Sequence, residues 1–238
     1  MKRLVLRISI AAAAFAVGVA IASSYRRDNT ETISPIAMPV AELRFGKDCF
    51  PGKSKEIAAL RTPSYFPRGL LAQGEWQDQF RMDWYGKHLR AMDEAPLHFP
   101  DKMAPESYRF VWLRSFHHPV SVRIWNTGTE LFINMKELSG AGGYEPGRMI
   151  RTEQRRLSQG EWDAFMRLLE NSCYWDMPTE NIDDAGLDGA QWILEGVREG
   201  RYHVVDRWTP QSGTFHAACV YLLELSGLKV DTKSEPLY

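Results

Sequence analysis

The sequence has few cysteines, and their arrangement limits the kinds of site the chain can build. Among 238 residues there are three, Cys49, Cys173 and Cys219, and none belongs to a C-x-x-C pair. Structural zinc sites are usually built on such pairs, so we predict no metal site, and nothing in the sequence calls for a cofactor. Three cysteines allow at most one disulfide within the chain, and each of the three pairings stays open.

Two further absences concern charge and catalytic motifs. The formal net charge is -1 at pH 7, whereas a nucleic-acid surface requires a clustered basic excess, so we expect no nucleic-acid partner. No serine lies in a G-x-S-x-G pattern, and the glycine-rich segment 141–147 lacks the G-x-x-x-x-G-K-[S/T] pattern of a nucleotide-binding loop. The common local signatures of hydrolases and nucleotide-binding proteins are therefore missing.

The chain does contain enough apolar material for a substantial core. Hydrophobic residues make up 44% of it and aromatic residues 12%, which suits one folded domain with appendages. We expect that single domain over residues 74–228, with a C-terminal tail over 229–238. A connector, 26–73, precedes it, because prolines and scattered glycines favour an extended segment there. Its prolines are Pro35, Pro39, Pro51, Pro63 and Pro67.

The N-terminal segment 1–25 predicts export. An uncharged apolar run, residues 8–22, follows three basic residues, a pattern typical of a secretory signal peptide and short for a spanning helix. The small-x-small pattern at 20–22 offers cleavage before Ser23. If the run extends to Tyr25, it fits an uncleaved anchor over residues 4–25 instead. The expected location is the cell envelope, either in the periplasm or anchored in the inner membrane. If the segment is not cleaved, the membrane is a partner of the protein.

Three amphipathic helices are predicted. The first begins near Gly74 and ends at Pro96. We assign its apolar face to Trp76, Phe80, Trp84, Leu89 and Met92, with Asp78 on the opposite side. A capping box formed by Ser158 and Glu161 opens the second helix, and the third ends at Gly227.

Alternating apolar and polar residues predict about six strands. They are 108–116, 120–125, 131–138, 149–157, 190–197 and 202–208. Because short turns join the first four, we expect an antiparallel four-strand meander, followed by a C-terminal hairpin. The helices need a sheet face to cover, so the fold class is α+β.

The hairpin, within residues 186–210, is a dense mixture of aromatic and charged residues, which marks either a site or a well-satisfied polar core. A two-residue loop at Glu199-Gly200 pairs Glu195 with Val204 and Ile193 with Asp206. Glu195 and Asp206 then share one face, and His203 lies on the other. Neither face is wholly polar, so we expect both to be partly covered.

Four segments carry a family resemblance. They are WYGKHLRAM at 84–92, YRFVWLRSFH at 108–117, GLDGAQWILE at 186–195 and YHVVDRW at 202–208. Together they resemble a family of uncharacterised bacterial envelope proteins, and the resemblance covers Phe80 to Leu228. No activity is assigned to that family, so the resemblance implies a domain boundary and no mechanism.

The candidate catalytic residues are His203, Asp206, Glu195 and Asp188. General acid-base catalysis needs a titratable side chain with a partner that orients it, and these four lie close together in sequence. The predicted pairing, however, separates His203 from Glu195. A structural role is the alternative, with Arg207 against Trp192 as a cation–π pair and the carboxylates satisfying neighbouring donors.

Other residues are candidates for ligand binding. Adjacent His117 and His118 point to opposite sides of an extended chain, which disfavours a shared metal ion. His88 and Lys87 could line an anion pocket, and the glycines of 141–147 could bring backbone amides to a ligand, although a plain connection fits that loop better. The candidate binding residues are Tyr144, Trp192, Arg207 and Trp208.

Two functions are consistent with these observations. The first is a non-catalytic envelope domain that binds a protein, glycan or small ligand, and it predicts a continuous aromatic patch without a cluster of titratable groups. The second is an exported hydrolase-like enzyme, which needs the carboxylates or His203 to converge on a cleft.

Overall fold

The structure is a computed structural model that describes residues 64–99, 104–181, 186 and 188–229. Six strands form one antiparallel sheet, and three α-helices pack on it. The strands are β1 (Glu106–Arg114), β2 (Val120–Asn126), β3 (Leu131–Leu138), β4 (Met149–Arg156), β5 (Ala190–Arg198) and β6 (Arg201–Trp208). The helices are α1 (Glu75–Ala91), α2 (Gln159–Asn171) and α3 (Thr214–Leu225), with a 3-10 turn at Tyr174–Asp176.

The strand order is β4-β3-β2-β1-β5-β6, so the predicted α+β fold is confirmed. The meander β1 to β4 forms as predicted, and the C-terminal hairpin adds to it through β5, which pairs antiparallel with β1. This long-range pairing places Arg109 of β1 opposite Glu195 of β5. The hairpin and the meander therefore share one sheet and one polar cluster.

The hairpin has the predicted register. Glu195 pairs with Val204 and Ile193 with Asp206. Both turn residues have positive φ, 53° at Glu199 and 75° at Gly200, which is the backbone of a two-residue turn matched to the twist of the strands. Both faces of β5 are buried, as expected for a strand with helices on either side.

The two faces of the sheet carry different cores. Helices α2 and α3 cover one face, where the buried residues include Trp112, Trp192, Phe165 and Leu222. Helix α1 covers β1, β5 and β6 on the other face, above Val111, Ile193 and Val204. The predicted capping box is present at the start of α2: the Ser158 side chain accepts from the Glu161 amide, and the Glu161 carboxylate accepts from the Ser158 amide.

The predicted apolar face of α1 is wrong in part. Trp76 and Phe80 are 61% and 45% exposed, and Asp78 is buried instead. The carboxylate of Asp78 accepts hydrogen bonds from the amides of Gly69, Leu71 and Ala72, so burial of this charge is compensated. The helix also ends at Ala91, before the predicted stop at Pro96.

The last ten residues of the predicted connector, 64–73, pack against α1. Phe66 and Leu71 are fully buried in the core beneath this helix. Every described residue lies within one unit, 41–238. The predicted signal or anchor, 1–25, lies outside the described residues, and none of the helices described in the structure combines the length and apolarity needed to cross a membrane.

The two described cysteines are both free thiols. Cys219 is fully buried in the core between the sheet and α3, and Cys173 is exposed after α2. The Cys173–Cys219 pairing is therefore not formed. Cys49 lies outside the described residues.

Candidate functional site

Glu195 belongs to a buried charge cluster centred on Arg109. The Arg109 guanidinium donates to Glu195 Oε2 at 2.8 and 2.6 Å and to the Ala95 carbonyl at 2.7 Å. The other oxygen of Glu195 accepts from the Tyr202 hydroxyl at 2.9 Å. Both side chains of the Arg109–Glu195 pair are fully buried. Every strong donor and acceptor at the centre of this cluster has a partner, as buried polar groups require.

Glu94 completes the same cluster from the segment after α1. It lies 3.3 Å from Arg109, 3.7 Å from Arg123 and 2.8 Å from Lys136. Burial alone would raise the pKa of Glu94, but these three cations outweigh it and lower the pKa. Burial raises the pKa of Glu195, partly offset by Arg109. The cluster ties β1, β2, β3 and β5 to the end of α1, which is a structural role.

Asp206 lies in a second buried network, on the same side of the sheet. Its Oδ2 accepts from the Tyr85 hydroxyl at 2.7 Å and from Arg81 at 3.5 Å, and its Oδ1 accepts from the Gln191 amide. Arg81 also pairs with Glu180 at 3.0 Å. Burial raises the pKa of Asp206, partly offset by Arg81 and by these hydrogen bonds.

The four predicted catalytic residues are not brought together. Glu195 and Asp206 lie beneath α1, and their oxygens are occupied by protein donors. His203 lies on the opposite side of the sheet, 5.1 Å from the Tyr174 ring, where burial lowers its pKa to about 4. Asp188 is exposed at the start of β5. A general base must face substrate, whereas both carboxylates are buried and bonded to protein donors.

Of the four predicted binding residues, Tyr144 is the most accessible, with 50% of its surface exposed. Trp192 is fully buried and stacks on His216 at 5.1 Å. Its register partner Arg207 donates to the Thr179 and Pro178 carbonyls. Trp208 is partly buried against the Gly186 and Gly189 backbone, where a Cβ would collide with its ring.

The histidines predicted as ligand candidates have no shared site. His118 is exposed and contacts Glu137 at 2.9 Å. His88 is fully buried in α1, beside the backbone of Gly142. Burial, helped by the charge of Lys87, lowers its pKa to about 3. Within the described part of the chain, no group of three or more His, Cys, Asp or Glu side chains could hold a metal ion.

The glycine-rich loop forms a connection rather than an anion cradle. Its amides donate to protein carbonyls: Gly140 to Pro146, Ala141 to Glu145, Gly142 to His117 and Gly143 to Ser115. A Cβ at Gly142 would lie 2.5 Å from the Leu113 backbone, so glycine is required there for close packing on the end of β1. This loop is therefore rigidly held against the sheet and presents Tyr144 outward.

The most distinctive surface feature is an aromatic strip, made of Trp76, Phe80, Trp84, Tyr144 and Phe116. Trp76 and Phe80 stack at 5.6 Å, and Phe80 lies 5.9 Å from Trp84. Trp84 Nε1 donates to the Gly142 carbonyl at 2.7 Å, which joins α1 to the loop, and Tyr144 lies 6.0 Å from Phe116. Among the described residues, four of the six exposed large hydrophobic side chains belong to this strip.

Sequence reasoning missed most of the aromatic strip because it gave Trp76 and Phe80 to the buried face of α1. The helix carries two apolar stripes: one at Trp76, Phe80 and Trp84, the other at Met82, Tyr85 and Leu89. The second stripe lies in the core, and of the first only Trp84 packs against that core. Two stripes on one helix were visible in the sequence, and a single sheet face can bury only one of them.

A shallow depression of about 80 Å³ lies elsewhere, at the other end of the sheet, and contains none of the predicted site residues. Its lining residues are Ile133, Met135, Glu153, Gln154, Arg155 and Ser226.

No family model, curated protein or solved structure matches the chain. The resemblance to bacterial envelope proteins therefore stays a prediction.

Proposed function

We propose that this chain is an exported envelope protein, periplasmic or anchored through residues 4–25, whose domain binds its ligand without catalysis through the aromatic strip. The observation that carries the proposal is that Trp76, Phe80, Tyr144 and Phe116 are each about half exposed and form two ring pairs, Trp76–Phe80 and Tyr144–Phe116, on α1 and on the loop that the Trp84–Gly142 hydrogen bond holds beside it. Aromatic side chains exposed in a contiguous patch cost solubility and usually mark an interaction surface.

The alternative, a hydrolase-like enzyme using the hairpin carboxylates and His203, has less support. Glu195 and Asp206 are fully buried and hydrogen-bonded to Arg109, Tyr202, Tyr85 and Gln191. Both carboxylates are buried away from solvent, and their hydrogen bonds to protein donors offset the cost of burying the charge. A binding role accounts for the strip and leaves these charges as scaffold.

Hydrogen–deuterium exchange tests the binding role. Full-length protein is mixed with a solubilised extract of the bacterial envelope, and protection of 75–91 and 139–147 is measured. We expect protection in the wild type and its loss in Trp76→Ala/Phe80→Ala. Ile150→Ala is the matched control, since Ile150 is 46% exposed on β4 and lies outside the strip. Absence of protection in the wild type, or equal protection in the double variant, contradicts the proposal.

The predicted location has its own test. Mass spectrometry of the protein recovered from the cell envelope should find either a mature N-terminus at Ser23 or an intact N-terminal segment in the membrane fraction. Recovery of the full chain from the cytoplasm alone would overturn export.

A further inference from the structure

The two outer edges of the sheet differ in what lies beside them. At β6, the outward amide of Asp206 donates to the Thr179 carbonyl at 2.7 Å, and Arg207 donates to the same carbonyl. The segment at Thr179 therefore occupies part of that edge. At the other edge, β3 is the only strand beside β4 in the part of the chain that the structure describes, and residues 152–156 are all exposed. The outer side of β4 is therefore open to a further strand.

The backbone of β4 has the geometry to pair with such a strand. Just after β4, the amide of Leu157 donates to the Leu131 carbonyl of β3 at 2.8 Å. In an antiparallel ladder, successive residues turn their amide and carbonyl groups to opposite sides. Thr152 and Gln154 therefore turn theirs away from β3. The ladder with β3 is regular over residues 151–156, and its register shift lies outside that stretch.

The charges on β4 restrict which strand fits this edge. Charged side chains commonly protect an open edge from association. Here, two ion pairs join β4 to other elements: Arg155–Glu161 at 2.8 Å and Arg156–Glu130 at 2.6 Å. The remaining pair lies within the strand, where Arg151 and Glu153 are 2.7 Å apart. An incoming strand must therefore match one positive and one negative charge, two residues apart.

A second copy of β4 matches this pattern. Arg151 and Glu153 lie on the same face of the strand because they are two residues apart. If an antiparallel copy pairs with β4 about a twofold axis at Thr152, Arg151 of each chain faces Glu153 of the other. Four charges of alternating sign then form a ring, and each charge keeps its own partner and gains another. Opposite charges that face each other across two strands stabilise the pairing.

We propose that β4 pairs antiparallel with β4 of a second copy, about a twofold axis at Thr152, so that the two sheets join into one. The Thr152 side chains then lie opposite each other, which is a second favourable cross-strand pair. This contact shares no residue with the aromatic strip and does not depend on the proposed binding role. It is one strand wide and therefore small, so dimerisation should depend on protein concentration.

Charge reversal tests the pairing in the full-length protein. Arg151→Glu and Glu153→Arg each bring like charges face to face, so each variant alone should dimerise at least tenfold more weakly than the wild type. Mixed together, the two variants should form a heterodimer, because one chain then carries only negative and the other only positive charge at these positions. Sedimentation from micromolar to near-millimolar protein measures the affinities, and native mass spectrometry separates the heterodimer by its mass.

The matched controls reverse charges away from this edge. Arg167 and Glu170 are exposed on α2, so Arg167→Glu and Glu170→Arg should each dimerise like the wild type. Urea unfolding of every variant checks that the fold is intact.

Thr152→Pro tests the backbone contact independently of charge. Proline removes the amide that faces away from β3 and is tolerated on an edge strand at such a position. We expect this variant to remain folded and to dimerise at least tenfold more weakly than the wild type.

Three results overturn the proposed dimer. The first is a wild type that sediments as a monomer at every concentration. The second is dimerisation that neither Arg151→Glu nor Glu153→Arg weakens, and the third is a mixture of these variants that forms no heterodimer. If Trp76→Ala/Phe80→Ala abolishes dimerisation and the charge reversals do not, the copies associate through the aromatic strip instead of β4.

Discussion

At the scale of single residues, a buried charge affects the stability of the fold more than an exposed charge does. Arg109 is fully buried, yet Glu195 and Glu94 outweigh the effect of burial and raise the pKa of its guanidinium. Removing one member of such a cluster leaves the others charged in a medium that solvates them poorly, which costs more than the pair itself contributes. Arg156, which pairs with Glu130 while 74% exposed, gives the contrasting case.

We therefore expect Arg109→Met to lower the free energy of unfolding by about 3–5 kcal/mol. Arg156→Met, the matched control, should change it by less than about 0.5 kcal/mol because its ion pair is exposed to solvent. Equilibrium urea denaturation at neutral pH measures both. The double variant Arg109→Met/Glu195→Met should be more stable than Arg109→Met alone, since it removes an orphaned carboxylate. Equal losses for Arg109→Met and Arg156→Met would contradict the structural role of this cluster.

At the scale of elements, the hairpin turn fixes the register that puts Glu195 and Asp206 beneath α1. Its two residues both have positive φ, a conformation that glycine and asparagine adopt more readily than glutamate. Glu199 is therefore under mild backbone strain, whereas Gly200 is required. The turn residues are visible in the sequence, which is why the predicted register is confirmed.

Substitutions at the two positions of this turn should change the free energy of unfolding in opposite directions. Glu199→Asn should raise the free energy of unfolding by about 0.5–1 kcal/mol, and Gly200→Ala should lower it by about 1 kcal/mol, because of the positive φ. Gly160→Ala is the control: Gly160 has open space around its Cα in α2, so alanine there should stabilise by about 0.5–1 kcal/mol. Thermal unfolding of the three variants shows whether each substitution stabilises or destabilises the fold. A stabilising Gly200→Ala would be incompatible with this turn geometry.

At the scale of the whole molecule, buried histidines make the fold sensitive to acid. Burial lowers the pKa of His88 to about 3 and those of His98 and His203 to about 4. An imidazole whose pKa is lower in the folded protein binds its proton first in the unfolded chain. The stability it contributes is complete above its ordinary pKa of 6.5 and is lost as the pH falls toward the folded value. The raised pKa values of Glu195 and Asp206 act with the opposite sign.

His88→Leu isolates one of these contributions. It replaces a fully buried imidazole, which is uncharged at pH 8, with an apolar side chain of similar size, so it should cost little at that pH. Between pH 8 and pH 4 the wild type should lose on the order of 3 kcal/mol more than the variant. The effects of Glu195 and Asp206 cancel in this difference because both chains contain them. Urea unfolding curves at intervals across this range provide the measurement, and parallel pH profiles would refute the assignment.

The sequence by itself determined the elements whose signals are local. Strand β3 has its predicted limits, the Ser158–Glu161 capping box opens α2, and the Glu199-Gly200 turn sets the hairpin register. Each depends on residues within a few positions of one another, so propensity and periodicity suffice. Placing Glu195 and Asp206 together on one face followed from the same local pairing rule.

Only the tertiary structure determined which residues pack against the hairpin and against α1. Arg109 meets Glu195 only because β5 pairs with β1, a contact between residues 86 positions apart. That contact gives Glu195 a structural role, and Asp206 takes a similar role through Tyr85 and Gln191. Likewise, packing against the sheet buries one of the two apolar stripes on α1 and leaves Trp76 and Phe80 at the surface. Periodicity shows that a helix has an apolar face, but only the packing partner shows which face is covered.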